Sequence, residues 1–325
     1  MLFTKSTNKR FFCTYFDINF SGRGLALYDS LKENSQDFTL YVLALDKEIN
    51  AYLTKLNLDN LEIINLDDYI AHFSIDINRF EDKKQFYFSI TANICLYVLH
   101  KNPFIDILSY IDADIRFYNT VEYLYEDLGS HSIGICKHNF SALNNMILSH
   151  YGEFNVGINV FRNDTEGVQC LEKWKEDCDS WRADDPNNFH PFFSDQIMLD
   201  EWPKIYKNLK IFDNQGISAA PWNIGKYKIS IKNGHYFLDE YPLVAFHFSS
   251  LVKIEKETWN AVTSRYLTTV KKKIKDIYVA YINDIERLNA RDMAVVKLNF
   301  QQKFVSRVGQ KMASVFFNQI IKVKQ

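Results

Sequence analysis

Tyr110-Ile111-Asp112-Ala113-Asp114-Ile115 is the stretch on which the fold turns. The apolar run Ile107 to Ile111 reads as a buried strand that ends in two carboxylates separated by one small residue. A buried ionised carboxylate is very costly unless it is paired or binds a metal. A strand that stops in Asp-X-Asp therefore points to two acids facing a cation in a crevice. Hard oxygen ligands in small number suit Mg²⁺ or Mn²⁺, with the phosphates of a nucleotide completing the shell. The same six residues also read as a strand end followed by a turn with solvated acids.

Upstream of this run, strand and helix patterns alternate. Phe11 to Phe16 reads as a strand, and Gly22 and Gly24 mark a loop. Leu25, Leu27, Tyr28 and Leu31 make a short helical pattern. Phe38 to Leu45 is a second strand ending at Asp46, followed by a helix through Tyr52, Leu53 and Leu56. Leu61 to Leu66 is a third strand. Ile90, Ile94, Cys95, Val98 and Leu99 recur at helical spacing until Asn102-Pro103 stops them. Such alternation predicts an α/β fold with a mostly parallel sheet. Ligands of such sheets bind beyond the carboxyl ends of the strands, where Asp46, Asp112 and Asp114 fall.

Downstream, Ser132 to Cys136, Val156 to Phe161 and Leu243 to Phe248 read as strands, and Gly167 to Asp179 as a helix backed by Trp174 and Trp181. Asn233-Gly234 between apolar pairs predicts a tight hairpin. After about Lys253 the pattern becomes helical without strand signals, placing a boundary between residues 1–253 and 254–325. From Met293 to Gln325 there are six Lys or Arg and no acid, and Phe300, Phe304, Val308, Met312, Val315, Phe316 and Ile320 form an apolar stripe. This segment reads either as an amphipathic helix on an anionic membrane surface or as a helix packed on the domain.

A net charge of −2 gives no push toward nucleic acid. The five cysteines are scattered, with no zinc spacing, which fits reduced thiols in a cytoplasmic protein. The amino-terminal ten residues lack an apolar signal core, and no run of apolar residues is long enough to span a bilayer.

Five segments, in order, resemble the bacterial nucleotide-diphospho-sugar transferases of the GT-A fold, over Phe11 to Lys253. They are the first strand with Arg23-Gly24-Leu25-Ala26-Leu27; Cys95 to Pro103 feeding Asp112-Ala113-Asp114; Phe154-Asn155-Val156-Gly157-Ile158-Asn159-Val160-Phe161-Arg162; Ser194-Asp195-Gln196 with Ala220-Pro221-Trp222-Asn223-Ile224; and His247 to Lys253. The last is similar to the closing motif of the family 8 retaining transferases, His-(Phe/Tyr)-X-Gly-X-X-Lys, with Ser250 where glycine is usual.

The resemblance implies a transfer from a nucleotide sugar, UDP-linked and with retention, to a cell-surface glycan or lipid-linked precursor, by an enzyme in the cytoplasm or on the inner face of the membrane. Asp112, Asp114 and His247 would hold Mn²⁺ (or Mg²⁺), with Ala113 beside the donor. Lys253 and Arg23 would meet phosphate, and Thr14, Tyr15 and Asp46 the base and ribose. Asn155 and Asn159 would read sugar hydroxyls. Asp195 and Gln196 would lie at the reacting sugar, with Trp222 and Asn223 on the acceptor side. Asp46 reads equally as a helix cap, Tyr15 and Trp222 as core, and Ser194-Asp195 as a helix start. Two other functions fit parts of the pattern. A haloacid-dehalogenase-type phosphatase also uses a strand ending in Asp-X-Asp, but wants Thr or Val where Arg116 stands. A non-catalytic glycan-binding protein could retain the same fold.

Overall fold

A computed structural model describes residues 9–80, 83–180, 195–290 and 316–323. The chain begins with β1 (Arg10–Phe16), α1 (Ser21–Asn34), β2 (Phe38–Ala44), α2 (Lys47–Leu56), β3 (Leu61–Asn65), α3 (Leu66–Phe73) and α4 (Lys83–Lys101). It continues through β4 (Ile107–Ile111), β5 (Ile115–Phe117), α5 (Glu122–Leu128), β6 (Ile133–Lys137), α6 (Ala142–Leu148), β7 (Phe154–Arg162), α7 (Thr165–Ser180), α8 (Trp202–Ile205) and β8 (Leu209–Ile211). Seven strands form one sheet in the order β3-β2-β1-β4-β7-β6-β8. Only β7 runs against its neighbours. The mostly parallel sheet flanked by helices is the α/β class expected.

Parallel strands buried on both faces read as near-continuous apolar runs. Every residue of β2 is buried, and one apolar cluster lies on each side of the sheet, around Phe12, Val42 and Val160 on one face and Cys13, Tyr110 and Trp174 on the other. All five cysteines are free and buried. The strand order reverses between β1 and β4, which opens a crevice at their carboxyl ends.

A hairpin of β9 (Ile229–Lys232) and β10 (His235–Leu238) turns on Asn233 and Gly234, both with positive φ, and β11 (Tyr241–Pro242) pairs with it. β12 (Ala245–His247) then lies antiparallel to β5. β13 (Val252–Glu255), β14 (Thr258–Asn260) and β15 (Ile320–Lys322) form a separate small sheet, and α9 (Lys272–Leu288) packs its buried Ile277, Tyr281 and Ile285 toward the domain.

Three expectations change. Residue 254 lies inside β13, and the part beyond it contributes strands as well as a helix; alternation over three or four residues is too short to stand out from a helical stripe. Ile320 belongs to β15, paired with Asn260, rather than to an amphipathic helix. Residues 300–315 of that stripe, Trp181 and Ser194 lie outside the described residues. Gly22, Arg23 and Gly24 are buried inside α1 and form no loop. A Cβ on Gly22 would sit 2.2 Å from the Asn289 side chain, and one on Gly24 would sit 2.3 Å from the Phe16 ring. These glycines serve close packing of a helix. Among the described residues, no helix is long and apolar enough to cross a membrane.

Candidate active site

The Asp-X-Asp run leaves β4 as a tight turn. Asp112 N–H donates to Gly157 O at 2.9 Å, extending the β4–β7 ladder by one residue, and Ile115 N–H donates back to Asp112 O. β5 then pairs with β12 so that His247 stands opposite Ile115, while Phe248 N–H donates to Asp114 O at 2.9 Å. Pairing across more than 130 residues thus brings His247 to the two acids. Its Nε2 lies 3.0 Å from Asp114 Oδ1 and 3.6 Å from Asp112 Oδ2.

Burial pushes the Asp112 carboxyl above the usual carboxylate range; His247 pulls it back and Asp114 adds to the rise. For Asp114 burial is again the largest single effect and acts upward. The charge and hydrogen bond of His247, and then Arg23, outweigh it and hold the group below its ordinary value. Burial alone would lower His247, but the two carboxylates raise it. The imidazole and the two carboxylates thus each favour the charged form of the other. The donor set fits a divalent cation: two carboxylate oxygens and an imidazole nitrogen lie within 4.8 Å of one another. The nitrogen facing the acids is Nε2, while Nδ1 is buried without a partner among the described residues.

Tyr110, two residues before Asp112 on the same face of the strand, donates its hydroxyl to Asp112 Oδ1 at 2.7 Å and fixes that carboxylate. Period-two spacing along the strand is the sequence signal for this pair. Asp195 is 3% exposed, and its Oδ2 accepts from Thr91 Oγ1 at 2.8 Å. Burial pushes it up to about 7, with Thr91 opposing and the charge of Asp112 adding to the rise. Gln196 follows it, with Nε2 donating to Tyr151 O and Oε1 accepting from Asn155 Nδ2 at 3.3 Å. Asn155 is the one residue of β7 whose side chain joins this group. Ala113, 8% exposed, sits in the turn between the two acids.

The other expected residues have these partners within the chain. Asp46 is a cap: Oδ1 accepts from Ile49 N–H at 2.7 Å and Oδ2 from Ile18 N–H at 3.0 Å. Tyr15 turns its hydroxyl inward to Tyr87 O and Thr91, and Thr14 is fully buried. Asn159 is buried inside the sheet opposite Tyr110, with Nδ2 on Val156 O and Oδ1 without a partner among the described residues. Lys253 is 7% exposed and ion-paired with Glu286 of α9 at 2.8 Å, over the Trp259 ring. Asn223 spends its side chain on Ala220 N–H, His138 O and Ser218 O. Trp222 packs edge-on against His247, His138 and Tyr266. Arg23 donates to Leu251 O at 2.6 Å, with its positive charge felt by Asp114. Ser250 has a φ of +66°, so the backbone keeps the left-handed shape for which glycine is the usual residue.

No family model matches the chain. Two uncharacterized proteins of Bacillus subtilis (strain 168) are similar to it. YfnD is 23% identical over 266 residues, 81% of this chain and 84% of that protein. YfnF is 25% identical over 245 residues, 73% and 80% of the two chains. Among the solved structures it is similar to are glycosyltransferases. An active-site mutant of LgtC aligns at a TM-score of 0.46 and 15% identity, over 75% of this chain and 88% of that one. Mouse xyloside xylosyltransferase 1 aligns at 0.45 and 12%, over 75% and 98%. GlyE of Streptococcus pneumoniae TIGR4 aligns at 0.41 and 16%, over 64% of this chain but only 46% of GlyE, so the chain spans less than half of that protein.

Proposed function

We propose that the chain is a metal-dependent glycosyltransferase that moves a sugar from a UDP-linked donor, with retention, to a glycan or lipid-linked acceptor. One observation carries this reading: Asp112, Asp114 and His247 meet beyond the end of β4, beside the point where the strand order reverses. Mn²⁺, which takes both carboxylate oxygen and imidazole nitrogen, suits this donor set. When bound there, the cation supplies Lewis-acid stabilisation of the charge that grows on a departing diphosphate.

The chain's own residues would do the rest. Tyr110 holds Asp112 in one orientation, so the site need not reorganise as charge develops. Arg23 adds a fixed positive charge near Asp114, which suits an anionic donor. Lys253 contributes to the diphosphate only by leaving Glu286. Asp195, ionised above about pH 7, would place negative charge beside the sugar as it gains oxocarbenium character. Asn155 and Gln196 offer amide groups, which both donate and accept, to sugar hydroxyls. Arg116 is turned to Asp284 and Glu33, and nothing observed favours the phosphatase reading.

Calorimetry with UDP and a panel of UDP-sugars tests this. Binding that requires Mn²⁺ and disappears in excess chelator is expected. Equal affinity with and without metal overturns the proposal.

A further inference from the structure

We propose that His138 is a positioning residue, which sets the Asn155 and Gln196 amides in a single orientation toward the donor sugar. The inference rests on the glycosyltransferase reading and extends it. His138 follows β6 and is 4% exposed. Its Nδ1 lies 3.0 Å from Gly152 O. A carbonyl only accepts, so Nδ1 carries the proton and Nε2 is left as an acceptor. Asn155 Nδ2 lies 3.4 Å from that Nε2.

The direction of the Asn155 amide is fixed independently, because Oδ1 accepts Gly157 N–H at 3.0 Å. Its second N–H reaches Gln196 Oε1 at 3.3 Å, and Gln196 Nε2 reaches Tyr151 O at 3.1 Å. Every proton in the series Gly152–His138–Asn155–Gln196–Tyr151 therefore has one place. Burial favours the neutral imidazole, lowering His138 to about 4, so the series persists at ordinary pH.

The ring is also held mechanically. It stacks on Phe140 at 4.7 Å and meets the edge of Trp222 at 5.4 Å, and Trp222 in turn meets His247 at 5.3 Å. Glycine at 157 lets Asn155 and His247 approach each other: a Cβ there would lie 2.8 Å from both Asn155 Oδ1 and His247 Nδ1. The hydrogen-bonded series thus passes close to the proposed metal ligand at Asn155. It leaves one Gln196 N–H and one lone pair each on Gln196 Oε1 and Asn155 Oδ1 for a ligand. That pattern complements vicinal hydroxyls of a pyranose, which is the part of a nucleotide sugar that UDP lacks.

The test uses the full chain with Mn²⁺, reading hydrolysis of UDP-glucose and UDP-galactose, calorimetric binding of UDP, and the ¹⁵N shifts of the His138 ring. His138→Phe keeps the stacking but loses both nitrogens. It should lower kcat about 10- to 100-fold, as for a displaced reacting group, with UDP affinity within about twofold. His138→Gln, which can both accept and donate, should recover most of the loss. The double variant His138→Phe, Asn155→Ala should be no worse than about threefold below the poorer single, because both act through one series. The neutral ring should be the Nδ1–H tautomer. Multiplying losses, an unchanged kcat in His138→Phe, or an Nε2–H tautomer would each overturn the positioning role while UDP binding stands. If His138→Phe does not fold, the tautomer and His138→Gln decide the question. A wild-type chain that binds no UDP with Mn²⁺ overturns the functional reading, and this role with it.

Discussion

The end of β4 and the small sheet of β13, β14 and β15 both bury charge, but they close it in different ways. Lys253 is matched by Glu286, whose second contact is the Trp259 Nε1 hydrogen at 3.1 Å, so that pair is complete within the chain. Asp112 and Asp114 share a single imidazole, and their burial drives one carboxyl up while the other stays low. Their one charged partner in direct contact is that imidazole, with Arg23 acting on Asp114 from further off, and the three donor atoms converge where a divalent ion could sit. A burial percentage does not separate a binding site from a structural pair; the balance of partners does.

The most severe way to break the contrast is Asp114→Asn. We expect a loss of donor turnover of about 100- to 1000-fold, the scale of removing a preorganised charge from a reacting centre, with an unchanged circular dichroism spectrum. Wild-type turnover in that variant would make the cluster as structural as the lysine pair.

A pH series on Asp195→Asn sharpens the same point. The folded-state value of Asp195 lies above its unfolded one, so its protonated form favours the folded chain. That contribution is complete below about pH 4 and is lost as pH rises through about 7. The stability of wild type relative to Asp195→Asn should therefore fall between those limits, by on the order of 3 kcal/mol. A flat difference across urea titrations from pH 4 to 8 would contradict the burial argument.

On the closed side, Glu286→Ala should cost about 2 kcal/mol, between the values for exposed and buried pairs. Adding Lys253→Ala should restore part of it, since the unmatched ammonium is then gone. Asp46→Ala should cost about 1 kcal/mol as a lost helix cap, with UDP affinity unmoved; a large drop in affinity would return Asp46 to the donor site. Ser250→Gly should raise stability by about 0.5–1 kcal/mol by relieving a left-handed serine, read as a shift in urea midpoint.

Much of the scaffold was readable from the chain itself. The alternating apolar runs fixed β1 to β4, the helix ending at Asn102-Pro103 and the hairpin at Asn233-Gly234, because strand period, helix period and turn chemistry are local properties. The pair Asp112 and Asp114 was visible for the same reason: one strand end carries both. Gly22 and Gly24 misled, since glycine marks a turn or a close contact, and only the neighbours Asn289 and Phe16 tell which. His138 carried no signal at all, being one of 8 histidines with an unremarkable spacing.

What the sequence determined by itself was the list of elements and the two acids at a strand's end, since neighbouring residues suffice for both. Tertiary structure alone decided that β12 would carry His247 to those acids, that Lys253 would face Glu286 rather than open space, and that Asp46 would spend both oxygens on backbone. Each of those outcomes depends on register and on which strands lie side by side. Residues far apart in the chain settle such choices together, by competition for the same buried partners.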